Sequence, residues 1–231
     1  MTCARVRHVA SFDELISTPF AGDVNALCWP RRLPGDFEEV AARLDADAGA
    51  GITTIGDDTL ASLALSPAGS AARDRMLADL AMMREQGLDP VLDYIRAHPR
   101  AAGGGPIPTD VYSYHVDRAT DPLDTFICTY TGPSTEALPN EMAMRRIDDA
   151  ETRAELLKLH GGPDDESFAA WLTEHFYDLH YAPLAGAEPY AFGIGNVWRI
   201  AIDYPGCPVL PCVHRAPLSL PGAPDRLLLL S

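Results

Sequence analysis

The order of residues predicts an α+β domain. Three features carry that expectation: helical spacing of apolar positions through the first hundred residues, β-branched and aromatic runs in 106–135 and 188–231, and a second helical stretch over 138–182 between them. A chain of 231 residues can bury a sizeable core, so one domain spanning 1–231 is the simplest organisation.

Residues 1–100 read as mainly helical support. Ser11 with Glu14 makes a capping box, Pro34-Gly35 precedes an amphipathic stretch through Leu44, and Ser66-Pro67 opens a long helix that ends near Gly87. Met76, Leu77, Leu80 and Met83 give that helix an apolar stripe, read as packing against a sheet. Short strands are expected at Val24–Trp29 and Gly51–Ile55. Ala101–Pro106 is glycine-rich but lacks the Lys-Ser/Thr pair and the strand-to-helix context of a phosphate loop, so it reads as a connector.

Chemistry enters at His115-Val116-Asp117. The run Thr109–Asp117 reads as a strand, and alternation along it puts Val111, Ser113, His115 and Asp117 on one face. Far downstream, Cys212–Arg215 and Asp225–Leu230 read as two strands joined through a Pro/Gly turn at Pro221–Pro224; paired as neighbours, they would project His214 and Arg226 into one cavity. Two imidazoles and one carboxylate suit an iron(II) site that guards one face of the metal and leaves the other open.

On these residues the chain resembles the 2-oxoglutarate and iron(II)-dependent oxygenases, in which a His-x-Asp pair, a distal His and a following Arg occur in this order. Gly195–Ile202 is similar to the glycine-led strand that precedes the distal His there, and over its whole length the chain resembles an uncharacterised bacterial domain-of-unknown-function family. The resemblance implies a double-stranded β-helix (jelly roll), with flanking N-terminal helices and a helical insertion between core strands. His115, Asp117 and His214 would then bind iron(II) as the catalytic centre, and Arg226 would hold the far carboxylate of 2-oxoglutarate. Thr129 or Tyr130, on the strand Asp124–Tyr130, would also contact that co-substrate, only one of the two facing inward. Hydroxylation is the default outcome. Two departures stand out: the histidines lie 99 positions apart (115 to 214), and the Gly-Glu-Thr stretch often seen after the first strands is missing.

The extra length falls in 138–182, where Leu156, Leu157 and Leu159 and then Phe168, Trp171, Leu172, His175, Phe176 and Leu179 keep helical spacing. Such an insertion is expected to act as a lid that excludes water and selects substrate. His160, His175 and His180 within it read as non-ligands. Two rival readings exist. A cupin-like metalloenzyme would use His115, Asp117 and His214 without 2-oxoglutarate, and a non-catalytic zinc or metal carrier would use Cys207, Cys212 and His214, thiolate and imidazole being preferred zinc ligands.

Composition narrows the partners. With 33 acidic against 18 basic residues and a net charge of -15, the chain lacks the clustered Lys and Arg that a nucleic-acid partner needs. No apolar run approaches the ~20 residues that cross a bilayer, no signal peptide is apparent, and five irregularly spaced cysteines suit a reducing compartment. The expectation is a cytoplasmic protein acting on a small-molecule or peptide substrate, with a homodimer in keeping with the exposed faces of such a fold.

Overall fold

The computed structural model describes residues 4–45, 51–96, 105–218 and 224–231. The first 96 residues run β1 (Val6–His8), α1 (Phe12–Ser17), β2 (Ala26–Trp29), α2 (Phe37–Asp45), β3 (Ile52–Thr54), α3 (Asp57–Ser62), α4 (Pro67–Glu85) and β4 (Val91–Ile95). Next come β5 (Tyr114–His115), β6 (Asp124–Thr131), β7 (Glu136–Leu138) and β8 (Ala143–Arg145). Helices α5 (Ala150–His160) and α6 (Glu166–Glu174) precede β9 (His180–Pro183), β10 (Tyr190–Ala191), β11 (Val197–Ala201), β12 (Val213–Arg215) and β13 (Arg226–Leu230).

Two sheets result, one ordered β1-β2-β11-β6-β13-β4-β3 and the other β10-β7-β12-β5-β9-β8. Among the strands of the described residues, only the β1–β2 pairing is parallel. The chain is therefore α+β, with one mixed and one antiparallel sheet. From β4 to β7 successive strands alternate between the sheets, and they do so again from β10 to β13. The intervening β8, α5, α6 and β9 form the inserted segment.

Period-two alternation decides what each face of the larger sheet touches. Phe126, Cys128, Tyr130, Leu227 and Leu229 point to the helices, where Leu15, Val40, Leu60, Met76, Leu80 and Met83 complete the main core. The methionine stripe of α4 thus packs on the sheet. Ile127, Trp198, Ile200 and Leu228 point the other way, toward Ala137 and Cys212 of the smaller sheet and its approach. The local start signals operate as read: Ser11 Oγ accepts from Glu14 N–H while Glu14 reaches back to Ala10 N–H, and Ser66 Oγ accepts from Gly69 N–H with Pro67 in the first turn. Beyond α4, Gly87 supplies the left-handed residue (φ 76°) that turns the chain toward β4.

One buried charge cluster pins the helical layer. Asp79, fully buried in α4, accepts a bidentate pair from Arg31 at 2.7 and 2.9 Å, a 2.7 Å bond from Tyr130 OH, and a contact from Arg75. Removing the carboxylate alone leaves the buried guanidinium of Arg31 uncompensated, so Asp79→Ala is expected to cost about 3–5 kcal/mol, read as a lowered urea midpoint at unchanged slope.

Several expectations change. Thr109–Asp117 is not one strand: only Tyr114–His115 pairs, because Asp110 Oδ1 accepts from the Tyr112 and Ser113 N–H groups and closes a turn ahead of it. β12 and β13 are not neighbours but lie in opposite sheets; of the turn expected to join them, Pro221–Ala223 lie outside the described residues, as do Ala101–Gly104 of the connector. The first 96 residues supply four strands of the larger sheet: the two expected, β2 and β3, and two that were not, β1 and β4. The helical run expected through Leu179 ends at α6, where the His175 ring donates to Trp171 O and Phe176 turns left-handed (φ 60°). No helix among the described residues is long and apolar enough to cross a membrane.

Candidate metal centre

A row of three histidines crosses the smaller sheet. His214 of β12 pairs directly with His115 of β5, which pairs on its other side with His180 of β9. Directly opposed antiparallel residues hold their Cβ atoms about 4.5–5.5 Å apart, which is why the His115 and His214 rings lie 4.6 Å apart between centroids. Asp117 follows β5 by two residues, its carbonyl fixed by Asp203 N–H at 2.8 Å. Among the described residues, His115, Asp117 and His214 form the one group able to hold a metal ion, with their ligand atoms all within 4.8 Å of one another.

The hydrogen bonds assign the imidazole tautomers. His115 Nδ1 lies 2.8 Å from Ser113 O and His214 Nδ1 lies 3.2 Å from Cys212 O; a carbonyl only accepts, so both Nδ1 atoms carry the proton. Both Nε2 atoms therefore present lone pairs, and they face Asp117 Oδ1 and Oδ2 at 3.8 and 3.7 Å, beyond hydrogen-bond reach. Three sets of lone pairs aimed at one point repel unless a cation sits among them. Thr125 Oγ1 donates to Asp117 Oδ2 at 2.7 Å and fixes the carboxylate, the kind of outer contact that orients metal ligands.

Burial and the adjacent His214 push His115 down to about 4. Burial works to raise the Asp117 carboxyl, but His214, the Thr125 hydroxyl and His115 outweigh it and the net displacement is downward. His180, whose Nδ1 lies 2.8 Å from Ser113 Oγ, is also pushed down to about 4, by burial and then by Arg146. A histidine with a depressed folded value takes up its proton first in the unfolded chain, so its contribution to stability is present above about 6.5 and lost as the pH falls toward 4. Metal-free protein is expected to lose stability progressively across that window, measured as the urea midpoint between pH 7.5 and 4.5.

Arg226 opens β13 in the facing sheet, where it lines the same cavity, of about 480 Å³, as the three ligand residues. The residue is 6% exposed; Nη2 donates to Thr135 Oγ1 at 3.3 Å, while Nε is buried with no partner. No carboxylate neutralises it among the described residues, and burial pushes it down to about 10. A buried cation in this condition is costly to the fold and is suited to an anionic ligand.

The expected co-substrate contacts divide. Tyr130 does not face the cavity: alternation turns it to the helices, where its hydroxyl is taken by Asp79 and its ring stacks on Phe37. Thr129 is buried on the opposite face with Oγ1 unpartnered, and is not among the cavity-lining residues. Thr125 and Thr135, which sequence reading passed over, hold Asp117 and Arg226 instead. Thr125 shares a face with Ile127 on a strand that was legible, so alternation alone could have found it; Thr135 sits in the turn after β6 and carried no such sign.

Cys207 and Cys212 lie outside the ligand group, and Cys212 packs in the apolar layer between the sheets. The described insertion supplies none of the residues lining the main cavity; its Phe176, Leu179 and His180 line an adjoining pocket that reaches His115 and Asp117 from the other side. The His160 and His175 rings lie tilted against Trp171, and neither residue belongs to the ligand group. Compared with known proteins, the chain matches no family model, no curated protein and no solved structure, so the geometry of this centre carries the functional reading.

Proposed function

We propose that this chain is an iron(II)- and 2-oxoglutarate-dependent oxygenase on a double-stranded β-helix, hydroxylating a small-molecule or peptide substrate. One observation carries the reading: the unneutralised guanidinium of Arg226 lines the same cavity as a His, Asp and His whose lone pairs converge. A metal site alone would serve many chemistries. A buried cation beside it, reserved for an anion, narrows the choice to a centre that also binds an acidic co-substrate. Strand order supports the fold, since β4-β13-β6-β11 and β5-β12-β7-β10 interleave as two facing four-stranded sheets.

His115 and His214 offer neutral Nε2 donors and Asp117 a carboxylate, a facial set suited to non-haem iron(II). When bound, iron(II) with 2-oxoglutarate and dioxygen supplies the oxidation of a C–H bond. The protein does the rest. Ser113 O, Cys212 O and Thr125 Oγ1 hold the three ligands in orientation. Arg226, steadied by Thr135, binds the far carboxylate of the diacid and fixes its direction. The aliphatic walls exclude water from the reacting centre. A cytoplasmic location suits the free thiols Cys28, Cys128 and Cys207.

Anaerobic addition of iron(II) and then 2-oxoglutarate is expected to produce a visible charge-transfer band. A protein that takes up stoichiometric iron(II) and gives no band overturns the reading and leaves the cupin-like metalloenzyme without 2-oxoglutarate.

A further inference from the structure

The cavity continues past Arg226 along β13 and β4 toward the β3 edge of the larger sheet. Its wall there is Val91 and Ile95 of β4, Leu228 and Leu230 of β13, with Ile52 of β3 and Val111 closing over them. Among the described residues no Phe, Tyr or Trp lines the cavity, so this stretch of wall offers no stacking platform for a flat ring.

Within this aliphatic wall stands one acidic side chain, Asp93. The register places it on β4 opposite Leu228, two pairs along and on the same face as Ile95, which is opposite Arg226. Its Oδ1 accepts from Thr54 Oγ1 at 2.6 Å, and no cation lies within ion-pair distance of it among the described residues. Arg226 and Asp93 thus share a cavity as diagonal neighbours on adjacent strands without pairing to each other. Asp89 and the ligand Asp117 also line the cavity, and among the described residues Arg226 is the sole Lys or Arg in it. Opposite charges held apart across apolar surface give a cavity that accepts an anion at one end, a cation at the other and chain-like apolar matter between.

Resting on the oxygenase reading for the use of Arg226, we infer that the primary substrate is an aliphatic chain bearing a protonated amine, its ammonium group seated on Asp93 and its methylenes along Val91, Ile95 and Leu230. The apolar wall contributes affinity through burial, and Asp93 supplies the choice between amine, alcohol and acid. The same chemistry occurs in a free alkylamine and in a lysine side chain.

Isothermal titration of the full chain, as purified and after anaerobic loading with iron(II) and 2-oxoglutarate, would use n-hexylamine, hexanol, hexanoate and a doubly capped lysine at pH 7.5. n-Hexylamine or capped lysine is expected to bind at least tenfold more tightly than hexanol and hexanoate, the tighter of the two telling a free amine from a lysyl substrate. Asp93→Asn, which keeps shape and the bond from Thr54, should bring the amine down to the level of the alcohol, with an unchanged melting curve showing that the fold is intact. Equal binding of hexanol or hexanoate, no amine binding, or full amine affinity in Asp93→Asn overturns the inference. Amine selectivity without a charge-transfer band retains Asp93 as an amine site and rejects the oxygenase reading, whereas a band without amine selectivity does the reverse.

Discussion

Asp117→Ala is expected to abolish iron(II) binding, lowering affinity by well over the ~100-fold that marks loss of an outer-shell contact. The carboxylate is the only anionic member of the ligand group, so its loss leaves two neutral imidazoles around a divalent cation with no compensating charge. The variant should fold. The contacts that place residue 117 are made by its backbone, since its carbonyl accepts from Asp203 N–H, and the one side-chain partner is the hydroxyl of Thr125 in a cavity wall. Competition against a chelator, with cobalt(II) as an air-stable surrogate, reads the affinity, and the charge-transfer band vanishes with the metal. Metal retained at wild-type affinity would mean that the convergence of His115, Asp117 and His214 is accidental.

Much of this centre was legible because it rests on local pattern. His-x-Asp places two groups on one face wherever the backbone is extended, and Asp124–Thr131 announces a strand by its β-branched and aromatic content. Ser11, Ser66 and Pro67 mark helix starts through hydrogen bonds made within a few residues, which sequence order alone supplies. What stayed hidden depends on distant partners. His214 and Arg226, 12 positions apart (214 to 226), look like the two arms of a hairpin, yet they face each other from opposite sheets because β12 pairs with β5 and β7 while β13 pairs with β4 and β6. Nothing local reports that choice. Tyr130 reads as a ligand contact only until Asp79, 51 positions earlier, is seen to take its hydroxyl on the far side of the sheet. Thr109–Ser113 fails as a strand because a single Asp110 carboxylate offers two backbone N–H groups a nearer acceptor than any neighbouring strand.

Arg226→Met is expected to separate the two halves of the proposed site. Iron(II) binding stays, because the guanidinium is not a member of the ligand group; 2-oxoglutarate binding falls by about 30-fold or more, the lower end of the about 2–5 kcal/mol lost when one partner of a buried charged contact is truncated. Titrating the charge-transfer band with 2-oxoglutarate reads this directly. Arg226→Lys should recover only part of the loss, since an ammonium keeps the charge but not the planar pair of donors. The same substitution to methionine should stabilise the unliganded protein. In the absence of an anion the fold holds a cation that is 6% exposed, with Nε unpartnered, Nη2 on one neutral hydroxyl and its pKa driven down to about 10 by burial. A thioether of similar length removes that desolvation cost and fills the same volume beside Leu228. A melting temperature that rises as 2-oxoglutarate affinity falls is the signature of a group kept for its ligand at the expense of the fold. If Arg226→Met instead destabilises the protein and leaves the titration unchanged, Arg226 serves the packing between the sheets, and the cavity has no anion to receive.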